Sequence, residues 1–180
     1  AIFTCNGLFL NFARNFLATG GGGYANDSPP EAEWLFWIDS DIQFSIKQIE
    51  EMIKIPKDKK FVSGWYRSNY SDQAMVGKWD EDFFRENLHM PFTSVKWLDK
   101  LGKEEPNKLV EVDWCGFGFT KVHRSIYEQM DYPYYPLRNA DILNCKNPHV
   151  EGERMDVHDL SFEDVSFCRN VYDKLKIKPL

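Results

Sequence analysis

The sequence predicts a single α/β domain, and three observations support this class. The 180 residues are 43% hydrophobic, which is enough to bury one substantial core. Apolar strand-like segments alternate along the chain with segments of helical periodicity. The third observation is the unbroken apolar run Trp34–Ile38, bounded by a polar segment that contains prolines, which is typical of a buried strand in an α/β sheet.

The individual elements follow from hydrophobic period and from turn and cap residues. Strands are predicted at residues 1–5, 34–38, 61–66 and 109–114. Helices are predicted at residues 8–19, after the Ser45–Gln48 capping box, around residues 80–87, at residues 123–130 and from Ser161 onward. Glycine-rich and proline-containing loops are expected at residues 20–23 and 26–30, and an irregular stretch is expected up to residue 159.

Composition argues against several classes of protein. The net charge is −6 and no basic cluster occurs, so we expect no nucleic-acid partner. No long uncharged apolar run and no secretion signal are recognisable, so we expect no membrane span and a cytoplasmic location. The four cysteines form no Cys-x-x-Cys pair and are expected to be reduced and mostly buried: Cys5, Cys115, Cys145 and Cys168.

Two carboxylates, Asp39 and Asp41, directly follow the apolar strand. A buried strand delivers such residues to the carboxyl edge of the sheet, where open α/β sheets bind ligands. Neighbouring acids repel each other unless a cation lies between them, and oxygen ligands suit Mg²⁺ or Mn²⁺ carrying a phosphate. The alternative is that Asp39 closes the strand with an Asx-turn while Asp41 is solvated. The helix start at Ser45 favours a metal-diphosphate site.

Two further segments have both a structural and a functional interpretation. Gly116 and Gly118 flank Phe117, and this spacing allows either close approach of a ligand or a bulge in a long strand. Glu163 and Asp164 follow Ser161 at a predicted helix start. They either complement the helix dipole behind a serine cap or supply acid–base chemistry.

Five motifs in this order resemble those of GT-A glycosyltransferases. They are Ala13-Arg14-Asn15, Trp37-Ile38-Asp39-Ser40-Asp41, Val62-Ser63-Gly64-Trp65-Tyr66, Trp114-Cys115-Gly116-Phe117-Gly118-Phe119 and Ser161-Phe162-Glu163-Asp164-Val165-Ser166-Phe167-Cys168. Each motif is weak alone, but their order and spacing together are specific. The chain is similar to small members of this family found in bacteria and in large DNA viruses, including those of algae.

The resemblance implies a GT-A, Rossmann-like fold with a mixed, mostly parallel sheet flanked by helices. It implies a hexosyltransferase that uses Mn²⁺ or Mg²⁺ and a nucleotide-sugar donor, taken as a UDP-sugar such as UDP-glucose. The acceptor would be a hydroxyl of a glycan or glycoprotein, and a viral member would act in the host cytoplasm.

The resemblance also assigns the donor site. Asp41 would bind the metal directly, and Asp39 would bind it through water or contact the ribose or sugar. Ser40 between them belongs to the same donor-binding motif, and Arg14 would lie near the nucleotide or diphosphate.

The remaining assignments concern the sugar and the base. The Gly116–Phe117–Gly118 segment would lie under the donor sugar and acceptor, with Trp65 and Trp114 as sugar platforms. Asp164 is the first choice for the base of an inverting reaction and Glu163 the second, although retention stays open. We expect the helix dipole to keep this carboxylate ionised.

The chain departs from the family pattern at both ends. The usual first strand and a late metal-binding histidine are not recognisable, with His149 and His158 as possible substitutes, so we expect a fragment of a longer polypeptide. An alternative is a haloacid dehalogenase-like phosphatase with Asp39 as nucleophile, although Gln43 departs from that pattern. A carbohydrate-binding module is a second alternative, but such modules are usually all-β.

Overall fold

The structure is a computed structural model that describes residues 10–19, 31–68 and 72–180. Its helices are α1 (Leu10–Ala18), α2 (Ile46–Lys54), α3 (Glu81–Asn87), α4 (Val95–Glu104), α5 (Arg124–Tyr127) and α6 (Glu163–Leu175). Its strands are β1 (Trp34–Ile38), β2 (Phe61–Ser63), β3 (Gln73–Gly77), β4 (Phe92–Ser94), β5 (Trp114–Cys115), β6 (Phe119–His123), β7 (Arg138–Lys146) and β8 (Arg154–Ser161). The predicted mixed α/β class is confirmed.

The sheet that positions the site has the order β1-β6-β2. Strand β6 is antiparallel to both neighbours, with Ile38 opposite Phe119 and Ser63 opposite Thr120. Strands β1 and β2 therefore run in the same direction and end at the edge where β6 begins. The strand that starts at Phe61 therefore ends at the same edge as the strand that leads to Asp39.

The mostly parallel sheet is not seen in the described residues, where every strand pair is antiparallel. The reason is that β6 inserts between the two strands that share a direction. The strand predicted at residues 1–5 and the loops predicted at residues 20–23 and 26–30 lie outside the described residues.

Two more sheets complete the fold, a three-stranded β4-β3-β5 sheet and the β7-β8 hairpin. The hairpin replaces the irregular stretch expected before residue 159, and α4 was not predicted. The strand predicted at residues 109–114 is reduced to β5, because the Val112 N–H donates to the Pro179 carbonyl instead of to a sheet neighbour (3.0 Å).

Alternation along the strands places apolar side chains on both faces of the β1-β6-β2 sheet. Phe61 and Val122 belong to the larger core, which also contains Phe167 of α6. Val62 and Phe119 pack with Met52 of α2 on the opposite face. The Ser45–Gln48 capping box that starts α2 is present as predicted.

Helix α1 is fastened to the core by hydrogen bonds beneath the site. The Asn15 amide donates to the Tyr135 carbonyl (3.2 Å) and accepts from the Tyr135 N–H (3.0 Å). The Tyr135 and Tyr127 hydroxyls lie 2.6 Å apart, and the Trp37 indole donates to Tyr127 (3.0 Å). These buried bonds fix α1, β1 and α5 relative to one another.

Two predictions from composition can be compared with the described residues. Cys115, Cys145 and Cys168 are free and buried as expected, whereas Cys5 lies outside these residues. None of the described helices combines the length and the apolar character needed to cross a membrane.

Candidate active site

Arg14 of α1 joins two acidic segments that are far apart in the sequence. Its Nη2 donates to both carboxylate oxygens of Asp39, at 3.2 and 3.3 Å, just after β1. Its Nε donates to Oε1 of Glu163 at 3.1 Å, at the start of α6. One guanidinium therefore brings the predicted metal-binding loop and the predicted base segment together.

This cluster is largely removed from solvent. Arg14 and Glu163 are each 5% exposed, whereas the Asp39 side chain is 34% exposed. The guanidinium carbon lies 5.4 Å from the Phe117 ring centroid and 5.7 Å from that of Trp37, so aromatic rings support it from below. Burial alone lowers the pKa of Arg14, but its acidic neighbours, Asp39 foremost, raise that pKa above the ordinary value. The arginine is thus a fixed positive charge that holds its partners.

The two acids of the loop after β1 differ from each other: the Asp39 side chain is held by Arg14, whereas Asp41 is exposed. The Asp39 N–H donates to the Gly118 carbonyl (3.0 Å), and the Ile42 N–H closes a main-chain turn on the Asp39 carbonyl (3.1 Å). The Asp39 carboxylate binds Arg14, so the Asx-turn alternative is not what forms here. Ser40 and Asp41 are exposed at the tip of the turn.

Asp41 is the acid of this loop that no other side chain among the described residues engages. Within the part of the chain that the structure describes, its carboxylate has no ion pair or hydrogen bond. No group of three or more His, Cys, Asp or Glu side chains there could hold a metal ion. A metal at this turn would take Asp41 and, through water, Asp39, with oxygens of a diphosphate and water filling the other positions.

The acidic pair at α6 is not explained by serine capping. The helix starts at Glu163, its N-cap is Phe162, and no side chain caps it. Ser161 belongs to β8 and donates its hydroxyl hydrogen bond to the Arg138 carbonyl (3.2 Å). The expected serine cap is therefore wrong. Glu163 is held by Arg14, whereas Asp164 has no ion pair with this arginine.

Asp164 has the properties of a base near neutral pH. Burial, and then the negative charge of Glu163, raise the pKa of Asp164 to about 6. The pKa is raised because removal from water outweighs the hydrogen bond from the Val165 N–H at 2.7 Å. At pH 7 the ionised form still predominates by about ten to one. A carboxyl group in this range can accept a proton and release it later.

Gly116 and Gly118 lack side chains, and the Tyr66 side chain occupies the space that this leaves. A Cβ on Gly116 would collide with the Tyr66 hydroxyl, and a Cβ on Gly118 would lie 2.7 Å from Cζ of Tyr66. The Tyr66 ring thus covers both glycines. The space over the two glycines is therefore taken by Tyr66, and close approach of a ligand to this segment stays a prediction. Phe117 is fully buried beneath Arg14 and is not placed to touch a ligand.

The two predicted sugar platforms differ in exposure. Trp114 is only 4% exposed, packs edge-on against Phe92 and donates its indole N–H to the Lys78 carbonyl (3.2 Å). Its ring therefore presents no face to a sugar. Trp65 is 41% exposed and, together with the exposed Trp97, lines a cavity of about 530 Å³. Trp65 alone of the pair is available for stacking.

The two histidines considered as late metal ligands lie on the β7-β8 hairpin. His158 Nδ1 is 2.9 Å from Asp141, and His149 is exposed in the connecting turn.

Sequence reasoning missed two features of the site: the Arg14–Glu163 ion pair and the position of Tyr66. The position of Tyr66 directly after a predicted strand was the signal that could have placed it at the sheet edge. Its partner Gly118 is 52 residues away in the sequence, so local patterns do not reveal their contact.

No protein-family model matches this chain, and no curated protein sequence matches it. Among solved structures it is similar to A197 from STIV, with 16% sequence identity and a TM-score of 0.46. The match covers 96% of this chain, and the chain spans 63% of the length of A197.

Proposed function

We propose that this protein is a metal-dependent glycosyltransferase of GT-A type that transfers a sugar from a nucleotide-diphosphate donor to a glycan or glycoprotein hydroxyl. The observation that carries the proposal is the double ion pair of Arg14 with Asp39 and Glu163. It brings two motifs of different supposed function, a metal loop and a base segment, to one edge of one sheet. The mostly parallel GT-A sheet is part of the same proposal.

The residues would divide the work as follows. Asp41 would bind Mn²⁺ or Mg²⁺ at the exposed turn, and Arg14 would hold Asp39 in a fixed orientation beside it. When bound, the metal ion would neutralise charge that develops on the diphosphate leaving group. Asp164 would take the proton of the attacking acceptor hydroxyl on the opposite side of the sugar, which gives inversion.

The phosphatase alternative has less support. It requires Asp39 to attack phosphorus as a nucleophile. Both Asp39 oxygens lie within 3.3 Å of Arg14 Nη2, and this charge lowers the nucleophilicity of the carboxylate. A carboxylate held in this way suits a contact to the metal through water, or to the nucleotide-sugar donor, better than covalent catalysis.

The first test is ligand-dependent thermal stability. The melting temperature is measured with UDP, GDP, dTDP and UDP-glucose, each with and without Mn²⁺, for the wild type and for Asp41→Ala. A ligand that binds only the folded state raises the midpoint. The matched control is Asp99→Ala, because Asp99 is also an exposed aspartate without a partner among the described residues.

We expect a Mn²⁺-dependent rise with one nucleotide, lost in Asp41→Ala and kept in Asp99→Ala. The nucleotide that gives the rise identifies the base of the donor. A wild type that responds to none of the nucleotides would overturn the donor site, and hydrolysis of p-nitrophenyl phosphate would then support the phosphatase alternative.

A further inference from the structure

Tyr66 follows β2, and its hydroxyl reaches Gly118 at the sheet edge where β6 begins. Its hydroxyl accepts a hydrogen bond from the Gly118 N–H (3.1 Å), while the carbonyl of the same glycine accepts from the Asp39 N–H (3.0 Å). Gly118 thus sets the positions of both the phenol oxygen and the Asp39 main chain. The ring is held as well, because it fills the space over Gly116 and Gly118.

The hydroxyl proton of Tyr66 is not used by the fold. A phenol has one donor and can also accept, and here the acceptor function is taken by Gly118. Among the described residues nothing accepts the O–H. Partial burial raises the pKa of Tyr66 far above its ordinary value, and the charges of Asp164 and Asp39 raise it further. The group therefore stays protonated and remains a donor at neutral pH.

We propose that Tyr66 binds the transferred sugar of the nucleotide-sugar donor by donating its hydroxyl hydrogen bond to a sugar oxygen. This inference rests on the proposed function. A neutral sugar oxygen is favoured over a phosphate because the Asp164 carboxylate, which Arg14 does not pair, lies near enough to the phenol to act on its charge and would repel an anion. The base acts on the side of the sugar away from the diphosphate, so a donor beside Asp164 meets the sugar.

The test compares two ligands that differ by the sugar alone. The dissociation constants of UDP and UDP-glucose are measured calorimetrically with Mn²⁺ for the wild type, Tyr66→Phe and Tyr172→Phe. If the guanine nucleotide is the one that binds, GDP and GDP-mannose are used instead. Phenylalanine keeps the ring over the glycines, so the variant is expected to fold, and its melting temperature is recorded. Tyr172 is an exposed tyrosine of α6 and serves as the matched control.

In Tyr66→Phe we expect binding of the nucleotide sugar to weaken by about 5- to 15-fold, while the nucleoside diphosphate changes by less than about twofold. Equal weakening of both ligands would mean that Tyr66 only holds Gly118 in place, and would overturn the inference. Unchanged binding of both would overturn it too. Failure of the wild type to bind any of the nucleotides would instead overturn the proposed function on which it rests.

Discussion

The ion pairs of Arg14 allow a quantitative prediction about stability. The substitution is Arg14→Met, which keeps an unbranched side chain over the Trp37 and Phe117 rings but removes the positive charge. Glu163, with a side chain that is 7% exposed, would then be a buried carboxylate without its arginine. Asp39, with a third of its side chain exposed, can be solvated instead.

The expected cost follows from this difference in burial. Removing one partner of a buried ion pair destabilises a protein by about 3–5 kcal/mol, because the other charge stays buried without compensation. Loss of the Arg14–Asp39 ion pair adds at most about 1 kcal/mol to this cost, since water screens a partly exposed pair. For a chain of this size, about 3–5 kcal/mol lowers the melting temperature by roughly 6–20 °C.

The assay is urea unfolding of the wild type, Arg14→Met, Glu163→Gln and the double variant. If the cost arises from the unpaired Glu163 charge, Glu163→Gln in the Arg14→Met background restores stability, with a coupling free energy of about 1–3 kcal/mol. The matched control is Arg67→Met, because the Arg67–Asp72 pair at 3.6 Å is exposed on both sides and should contribute less than about 1 kcal/mol.

Two results would refute this reasoning. One is a loss below about 1 kcal/mol in Arg14→Met, equal to that of the surface control. The other is a double variant no more stable than Arg14→Met, because then the buried carboxylate is not the source of the cost. Either result would remove the argument that Arg14 fixes the two acidic segments relative to each other.

Two further predictions concern the base and the glycines. Asp164→Asn should abolish transfer, and in the wild type the rate should fall as pH drops through about 6, because the base must be ionised. The folded pKa of Asp164 lies above its unfolded value near 3.8, so its contribution to stability declines as pH rises from about 4 to 6. Asp164→Asn should therefore raise the melting temperature at pH 7 more than at pH 4, and equal effects at both would contradict the shift. In urea unfolding, Gly118→Ala should destabilise the protein by about 1–3 kcal/mol, because the new Cβ clashes with Tyr66. Gly102→Ala in α4 should instead stabilise the protein by about 0.5–1 kcal/mol, because a Cβ there meets nothing within 4 Å. Similar effects of the two alanines would contradict the packing.

Local patterns were sufficient for many elements of the fold. The apolar run at β1, the capping box before α2 and the helical period of α1 and α6 each depend on residues within a few positions, so the sequence indicates them directly. The β7-β8 hairpin was missed because most of its residues are polar and β7 lacks a clear alternation, although residues 154–158 of β8 alternate between polar and apolar side chains. The start of α6 moved from Ser161 to Glu163 because β8 continues to Ser161 through pairing with Arg138.

The sequence by itself determined that two carboxylates follow an apolar strand and that an acidic pair begins the last helix. The expectation that this strand is buried is wrong, because among Trp34–Ile38 only Trp37 is buried and Ile38 is exposed. The sequence did not determine which of these acids would be free. That was decided by Arg14, which is 25 residues from Asp39 and 149 from Glu163, and which neutralises those two acids while Asp41 and Asp164 stay unpaired by it. The exposure of Trp65 and the burial of Trp114 were likewise decided by packing. Charge pairing and removal from water depend on distances in space between residues that are far apart in the sequence. Tertiary folding sets these distances, and local sequence patterns carry no information about them.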